Sequence, residues 1–140
     1  VTIGGRSDAA VRRAGRRGDG WLASWCSPRR FTEGVGIAEQ EAADAGRADV
    51  AWRHGYQIWI GLGDTPAAGA AVLGPAMEKF YGAPYSAFER YSPVGTPADI
   101  AEWLRPYVEA GAVDFNLAPI AATDAERVEG AAEVRRLLLT

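Results

Sequence analysis

Three consecutive pieces of sequence decide the fold. They are Val1-Thr2-Ile3-Gly4-Gly5-Arg6-Ser7, the helix-forming run from Asp8 to Arg17, and Gly18-Asp19-Gly20-Trp21-Leu22-Ala23-Ser24. A β-branched run ends at paired glycines, and a hydroxyl residue then stands where a helix cap belongs. After the helix a glycine stops it ahead of a second apolar run. That grammar is strand, helix, strand, and it repeats along the chain. Ser27-Pro28, Thr65-Pro66 and Thr96-Pro97 each place a hydroxyl cap before a proline. Proline suits the first helical position because the N–H it lacks has no partner there. Thr96 is followed three residues later by Asp99, a relative of the capping box.

Working outward, the first strand is read as Val1–Ile3, ending in Gly4-Gly5, and the first helix as about Ser7 to Arg17, stopped by Gly18. The second strand is Gly20–Ser24, followed by a helix from Pro28 to about Ala45 with Phe31, Val35, Ala38 and Ala42 on one side and Gly46 at its end. A third strand lies within Val50–Leu62, clearest at Tyr56-Gln57-Ile58-Trp59-Ile60, and a helix runs from Pro66 to about Tyr81. Gly82–Gly95, rich in Pro, Tyr and Ser, is read as a long irregular segment. A helix from Pro97 to Ala110 carries Ile100, Trp103, Leu104, Tyr107 and Val108 on one face. A fourth strand at Val113–Leu117 and a closing helix from about Asp124 to Leu139 complete the chain. Strands alternating with helices of this size predict βαβ units, a parallel sheet and an α/β fold.

The 140 residues suit one ordinary domain, and 48% hydrophobic content argues against disorder. No stretch approaches the ~20 apolar residues of a membrane span. The single cysteine, Cys26, cannot form an internal disulfide, and no secretion leader opens the chain; together these predict a cytoplasmic protein. The chain starts without methionine in the middle of a pattern, as if cut from something longer. Residues 1–30 hold seven arginines against Asp8 and Asp19, whereas the remainder is acidic. A basic block can attract a polyanion, but Arg12, Arg13, Arg16 and Arg17 fall late in a helix, where cations suit the dipole. No aromatics interleave them to stack bases, so no nucleic acid is expected as a partner.

Gly4-Gly5-Arg6-Ser7 lies between a strand and a helix, where first-turn N–H groups hold a phosphate and glycines admit an anion close to the backbone. The same residues also make a tight turn with Ser7 as an N-cap, and both readings stand. Ser24-Trp25-Cys26 follows the second strand; Trp25 either lines a pocket or packs in the core. Gly61-Leu62-Gly63-Asp64-Thr65-Pro66 imitates a dinucleotide fingerprint, but Pro66 replaces its third glycine, so the segment is read as a loop and a capped helix. His54, the only histidine, is read as structural at a turn or strand edge, and no metal site is expected. Cys26 has no base near it in sequence, no serine lies in a hydrolase elbow, and Glu89-Arg90 is read as a surface ion pair. No catalytic side chain emerges.

Gly4-Gly5-Arg6-Ser7, followed by Ala14-Gly15-Arg16-Arg17-Gly18-Asp19-Gly20-Trp21, resembles the luciferase-like monooxygenase family of flavin- and coenzyme F420-dependent oxidoreductases. Val94-Gly95-Thr96-Pro97 and Tyr107-Val108-Glu109-Ala110-Gly111 before Val113-Asp114-Phe115 agree in order, and the resemblance covers Val1 to about Leu139. It implies a (β/α)8 TIM-type barrel, which typically needs ~250 residues. Residues 1–140 would then be a single partial-barrel domain of about four strand–helix units, the carboxyl-terminal half with strands five to eight, and the amino-terminal half would be absent.

The resemblance places the cofactor at Ile3, Gly4, Gly5, Arg6 and Ser7, and the substrate pocket at Ser24 and Trp25. It implies FMN or F420 as cofactor, with oxygen insertion or hydride transfer on a small organic substrate. The alternative is a non-catalytic truncated or split barrel half that binds phosphate or assembles with a partner. An isolated half barrel exposes unpaired sheet edges, which predicts self-association or pairing with the missing half.

Overall fold

The computed structural model describes residues 1–140. The elements are β1 (Thr2–Gly4), α1 (Asp8–Arg17), β2 (Gly20–Ser24), α2 (Pro28–Asp44), β3 (Gly55–Leu62), α3 (Pro66–Tyr81), β4 (Val94–Gly95), α4 (Pro97–Glu109), β5 (Asp114–Ile120) and α5 (Asp124–Leu138). The fold is α/β with parallel strand pairing, as the sequence predicts. No helix is long and apolar enough to cross a membrane.

One expectation is corrected: there are five strand–helix units, not four. The additional strand, Val94–Gly95, falls in the segment read as irregular. Two residues between Pro93 and Thr96-Pro97 show no alternation, so only their pairing with Gly61 and Leu62 reveals them. The rest of that segment forms two short 3-10 turns, Tyr85–Ala87 and Glu89–Tyr91. Glu89 and Arg90 do not pair; the Arg90 guanidinium lies 5.4 Å over the Tyr91 ring.

The chain folds as two compact units, Val1–Gln57 with Tyr107–Asn116, and Ile58–Pro106 with Leu117–Thr140. In the first unit Ile3 pairs with Trp21 and Gly4 with Leu22, and Ala23 in turn pairs with Tyr56. Helices α1 and α2 meet at Gly15, where a Cβ would lie 2.3 Å from the Ala38 carbonyl oxygen, so the contact is backbone on backbone. Ala10, Val11 and Ala14 of α1 and Phe31, Ala38 and Ala42 of α2 are buried. Gly34, not Val35, completes the inner face of α2, because the Trp21 ring occupies the space its side chain would need. Trp21 stacks on Phe31 at 5.6 Å between centroids, and Phe31 meets Tyr56 and Tyr107 edge-on. Arg12 and Arg16 turn outward and pair with Glu41.

In the second unit Gly61 and Leu62 pair with Val94 and Gly95. Gly69 of α3 brings that helix onto the pair, since a Cβ there would meet the Gly61 carbonyl at 2.4 Å and the Gly95 nitrogen at 2.7 Å. Ile58, Ile60, Leu73, Met77, Ile100, Leu104 and Val134 are fully buried. The capping signals operate as read. Ala68 N–H donates to Thr65 Oγ1, and at α4 Thr96 N–H donates to Asp99 while Asp99 N–H donates back to Thr96. The Thr96 hydroxyl first, and its N–H second, donate to the Asp99 carboxylate and hold it below its ordinary value. A full capping box, Thr123 with Glu126, starts α5.

Candidate functional site

Parallel strands β1 and β2 lie side by side, so the loops leaving their carboxyl ends are neighbours. The first loop is Gly5-Arg6-Ser7. Gly5 has φ +141°, and a Cβ there would lie 2.5 Å from the Ala10 Cβ, so only glycine fits. The Trp21 indole N–H donates to the Gly5 carbonyl at 2.8 Å, which ties the loop to β2. Ser7 caps α1 by accepting from Ala10 N–H at 3.2 Å, which leaves its own hydroxyl proton to donate.

The second loop is Trp25-Cys26-Ser27. Ser27 caps α2 by accepting from Arg30 N–H. Trp25 has φ +48° and is the sole non-glycine residue with a positive φ in the protein. For a bulky side chain that conformation costs of order 1–3 kcal/mol and persists where the surroundings over-determine it.

Arg6 joins the two loops. Its guanidinium lies 5.8 Å from the centroid of the Trp25 ring, and no carboxylate lies within ion-pair distance of it. Asp8, at the start of α1, is paired to Arg30 of α2, which offsets part of its charge beside the loop. Arg6 and Arg30 both act electrostatically on the Cys26 thiol, but burial outweighs them and pushes it up to about 11. Cys26 is therefore a thiol at neutral pH, with no thiolate to attack.

The residues singled out from sequence are thus placed as follows. Ile3, in β1, is half-buried; Gly4, Arg6 and Ser7 are exposed and Gly5 is half-buried; Ser24 and Trp25 are half-buried. Arg6 and Trp25 come together across the loops. His54 lies apart from them, at the edge of β3 just before Gly55, and is buried. Its Nδ1 accepts from Trp21 N–H at 3.1 Å and its ring stacks on Trp52 at 4.9 Å. Its Nε2 has no hydrogen-bond partner; the Glu39 carboxylate stands 3.8 Å away. Burial holds the imidazole below its ordinary value. No group of His, Cys, Asp and Glu could hold a metal ion.

Sequence reasoning missed two residues at the site. Tyr56 and Tyr107 both donate their hydroxyls to the Cys26 carbonyl, at 3.0 and 2.7 Å. Their place on apolar faces reads as core, and nothing local marks the hydroxyls as engaged.

The arrangement suits a ligand that joins an anionic group to a planar ring. The Arg6 guanidinium, without a carboxylate partner, and the glycine turn at the start of α1 would take the anionic group, and the Trp25 indole lies beside them.

The sequence matches no family model and none of the curated proteins. Solved structures do resemble it. One is an F420-dependent secondary alcohol dehydrogenase in complex with an F420-acetone adduct, with a TM-score of 0.79 and 14% identity over 98% of this chain and 48% of that one. A coenzyme F420-dependent tetrahydromethanopterin reductase from Methanopyrus kandleri gives 0.75 and 16% over 96% and 50%. A monooxygenase from Streptomyces bottropensis gives 0.71 and 16% over 99% and 46%. The chain spans about half the length of these structures. What it shares with that half of each, at such low identity, is the fold.

Proposed function

We propose that this chain is the carboxyl-terminal part of a (β/α)8 barrel of the luciferase-like type, an oxidoreductase working with reduced flavin or deazaflavin on a small organic substrate. The observation that carries the reading is Arg6 lying over Trp25 at the carboxyl ends of two paired parallel strands. Active-site groups gather at that end of such barrels. Ile3, Gly4, Gly5, Arg6 and Ser7 hold the phosphate end of F420 or FMN, and Ser24 and Trp25 line the substrate side. When bound, the reduced ring supplies the hydride or the centre that reacts with oxygen. The residues of this chain anchor the phosphate, orient the ring and keep water from one side of it.

A second reading has an observation in its favour: the one thiol at the site and the one imidazole of the chain are both withheld from chemistry there. Cys26 is held as a thiol, and His54 is engaged elsewhere with Trp21. On that reading the chain is a non-catalytic barrel part that binds a phosphate group or assembles with a partner.

Parallel fluorescence titrations with FMN and F420 test the proposal on the wild type, Gly5→Asp and Arg6→Glu. Arg6 is exposed and makes no ion pair, so Arg6→Glu reverses charge and gives up only the contact with the Trp25 ring. Saturable binding of one cofactor, lost in both variants while Arg6→Glu melts like wild type, is the expected result. No binding of either cofactor overturns the proposal and leaves the second reading.

A further inference from the structure

Tyr56 at the start of β3 and Tyr107 near the end of α4 approach the second loop together, their rings stacked 4.2 Å apart. Both hydroxyls end on one atom, the Cys26 carbonyl oxygen, and Cys26 N–H donates back to the Tyr56 hydroxyl at 3.3 Å. A carbonyl oxygen has two lone pairs, and both are used here. The residue immediately before this clamped peptide is Trp25, the one non-glycine residue in left-handed conformation. A return of Trp25 to ordinary backbone angles would swing the Cys26 carbonyl away from both hydroxyls. The clamp and the strained conformation therefore stand or fall together.

We propose that Tyr56 and Tyr107 are positioning residues: by clamping the Cys26 carbonyl they hold Trp25 left-handed, and so set the indole against Arg6 as a preformed binding pair. The loop is then not free to find its ligand-bound shape at the moment of binding. That lowers the ordering cost that binding would otherwise carry. The proposal rests on the function above only in naming the ligand, a planar ring that carries a phosphate.

The test separates the two. Protein labelled with 5-fluorotryptophan gives a 19F resonance for Trp25, assigned through Trp25→Phe and read without any ligand. Tyr56→Phe, Tyr107→Phe and the double variant keep the rings and their stacking and remove only the hydroxyls. The Trp25 resonance is expected to shift or split in Tyr107→Phe and further in the double variant, while those of Trp52, Trp59 and Trp103 stay in place. Leu73→Ala, which opens a cavity under α3 away from both loops, serves as the control for loss of stability alone and leaves the Trp25 resonance where it is. Where the cofactor titration gives binding, Tyr107→Phe weakens it about five- to tenfold, the scale of one lost hydrogen bond. An unmoved Trp25 resonance in folded Tyr107→Phe overturns the clamp, whether or not either cofactor binds. A shift equalled by Leu73→Ala overturns it too. A cofactor that fails to bind while the resonance shifts defeats the assigned function and leaves the clamp standing.

Discussion

Replacing Gly15 by alanine puts a methyl carbon where there is no room. Built on the native backbone, it lies 2.3 Å from the Ala38 carbonyl oxygen and 2.8 Å from the Glu41 Cβ, both in α2. The nearer atom is backbone, so no rotamer change relieves the contact, and α1 and α2 have to move apart. Overpacking of that kind costs about 1–3 kcal/mol. Against it stands the helix-propensity gain of alanine over glycine, about 1 kcal/mol. Because the obstacle is a backbone oxygen, the clash wins, and a net loss of about 1–2 kcal/mol is expected. Gly36, in the middle of α2, gives the opposite sign. Nothing lies within 4 Å of its Cβ position, so Gly36→Ala collects the propensity gain and stabilises by about 0.5–1 kcal/mol. Urea unfolding read by circular dichroism, with the slope unchanged, measures both. A Gly15→Ala protein as stable as wild type, or more so, would refute the backbone contact between α1 and α2.

Three further outcomes follow from particular groups. Burial holds the His54 imidazole below its ordinary value, so the unfolded chain takes up the proton first as pH falls. Stability should be full above about pH 6.5 and fall below it, and His54→Asn, which can still accept from Trp21 N–H, should flatten the urea-midpoint profile between about pH 7 and 5; an equally steep profile in the variant contradicts this. Cys26 stays a thiol, so iodoacetamide at about pH 8 should label the native protein far more slowly than the urea-unfolded chain, and equal rates would contradict its burial. Phe80 and Val128 are 69% and 64% exposed, with Trp59 and Tyr81 beside Phe80. Self-association is therefore expected in sedimentation, reduced by Phe80→Ser, and a monomer that melts cooperatively would oppose it.

The local grammar was readable because capping is local. Ser7, Ser27, Thr65 and Thr96 stand three residues or fewer from the groups they bond, and each starts its helix where the sequence places it. The cap of α5 carries the same local signature, Thr123 with Glu126. β4 was not legible, because two residues carry no periodicity and their identity as a strand resides in a distant partner. Gly15 and Gly34 look in sequence like weak points in helices; their reason is a neighbouring backbone and an indole ring that pattern does not display. At the site, the glycine turn and Trp25 were visible as types. The clamp on Cys26 was not, since the hydroxyls arrive from positions 30 and 81 residues away.

The central claim is that the first loop holds a phosphate. Calorimetric titration of the chain with FMN against riboflavin, and with F420 against its phosphate-free deazaflavin, tests it without any variant. The account predicts that one phosphorylated cofactor binds at least about tenfold more tightly than its phosphate-free form, a gap of about 1.4 kcal/mol that narrows as salt rises. Equal affinity of the two forms, or binding that salt does not weaken, would contradict it.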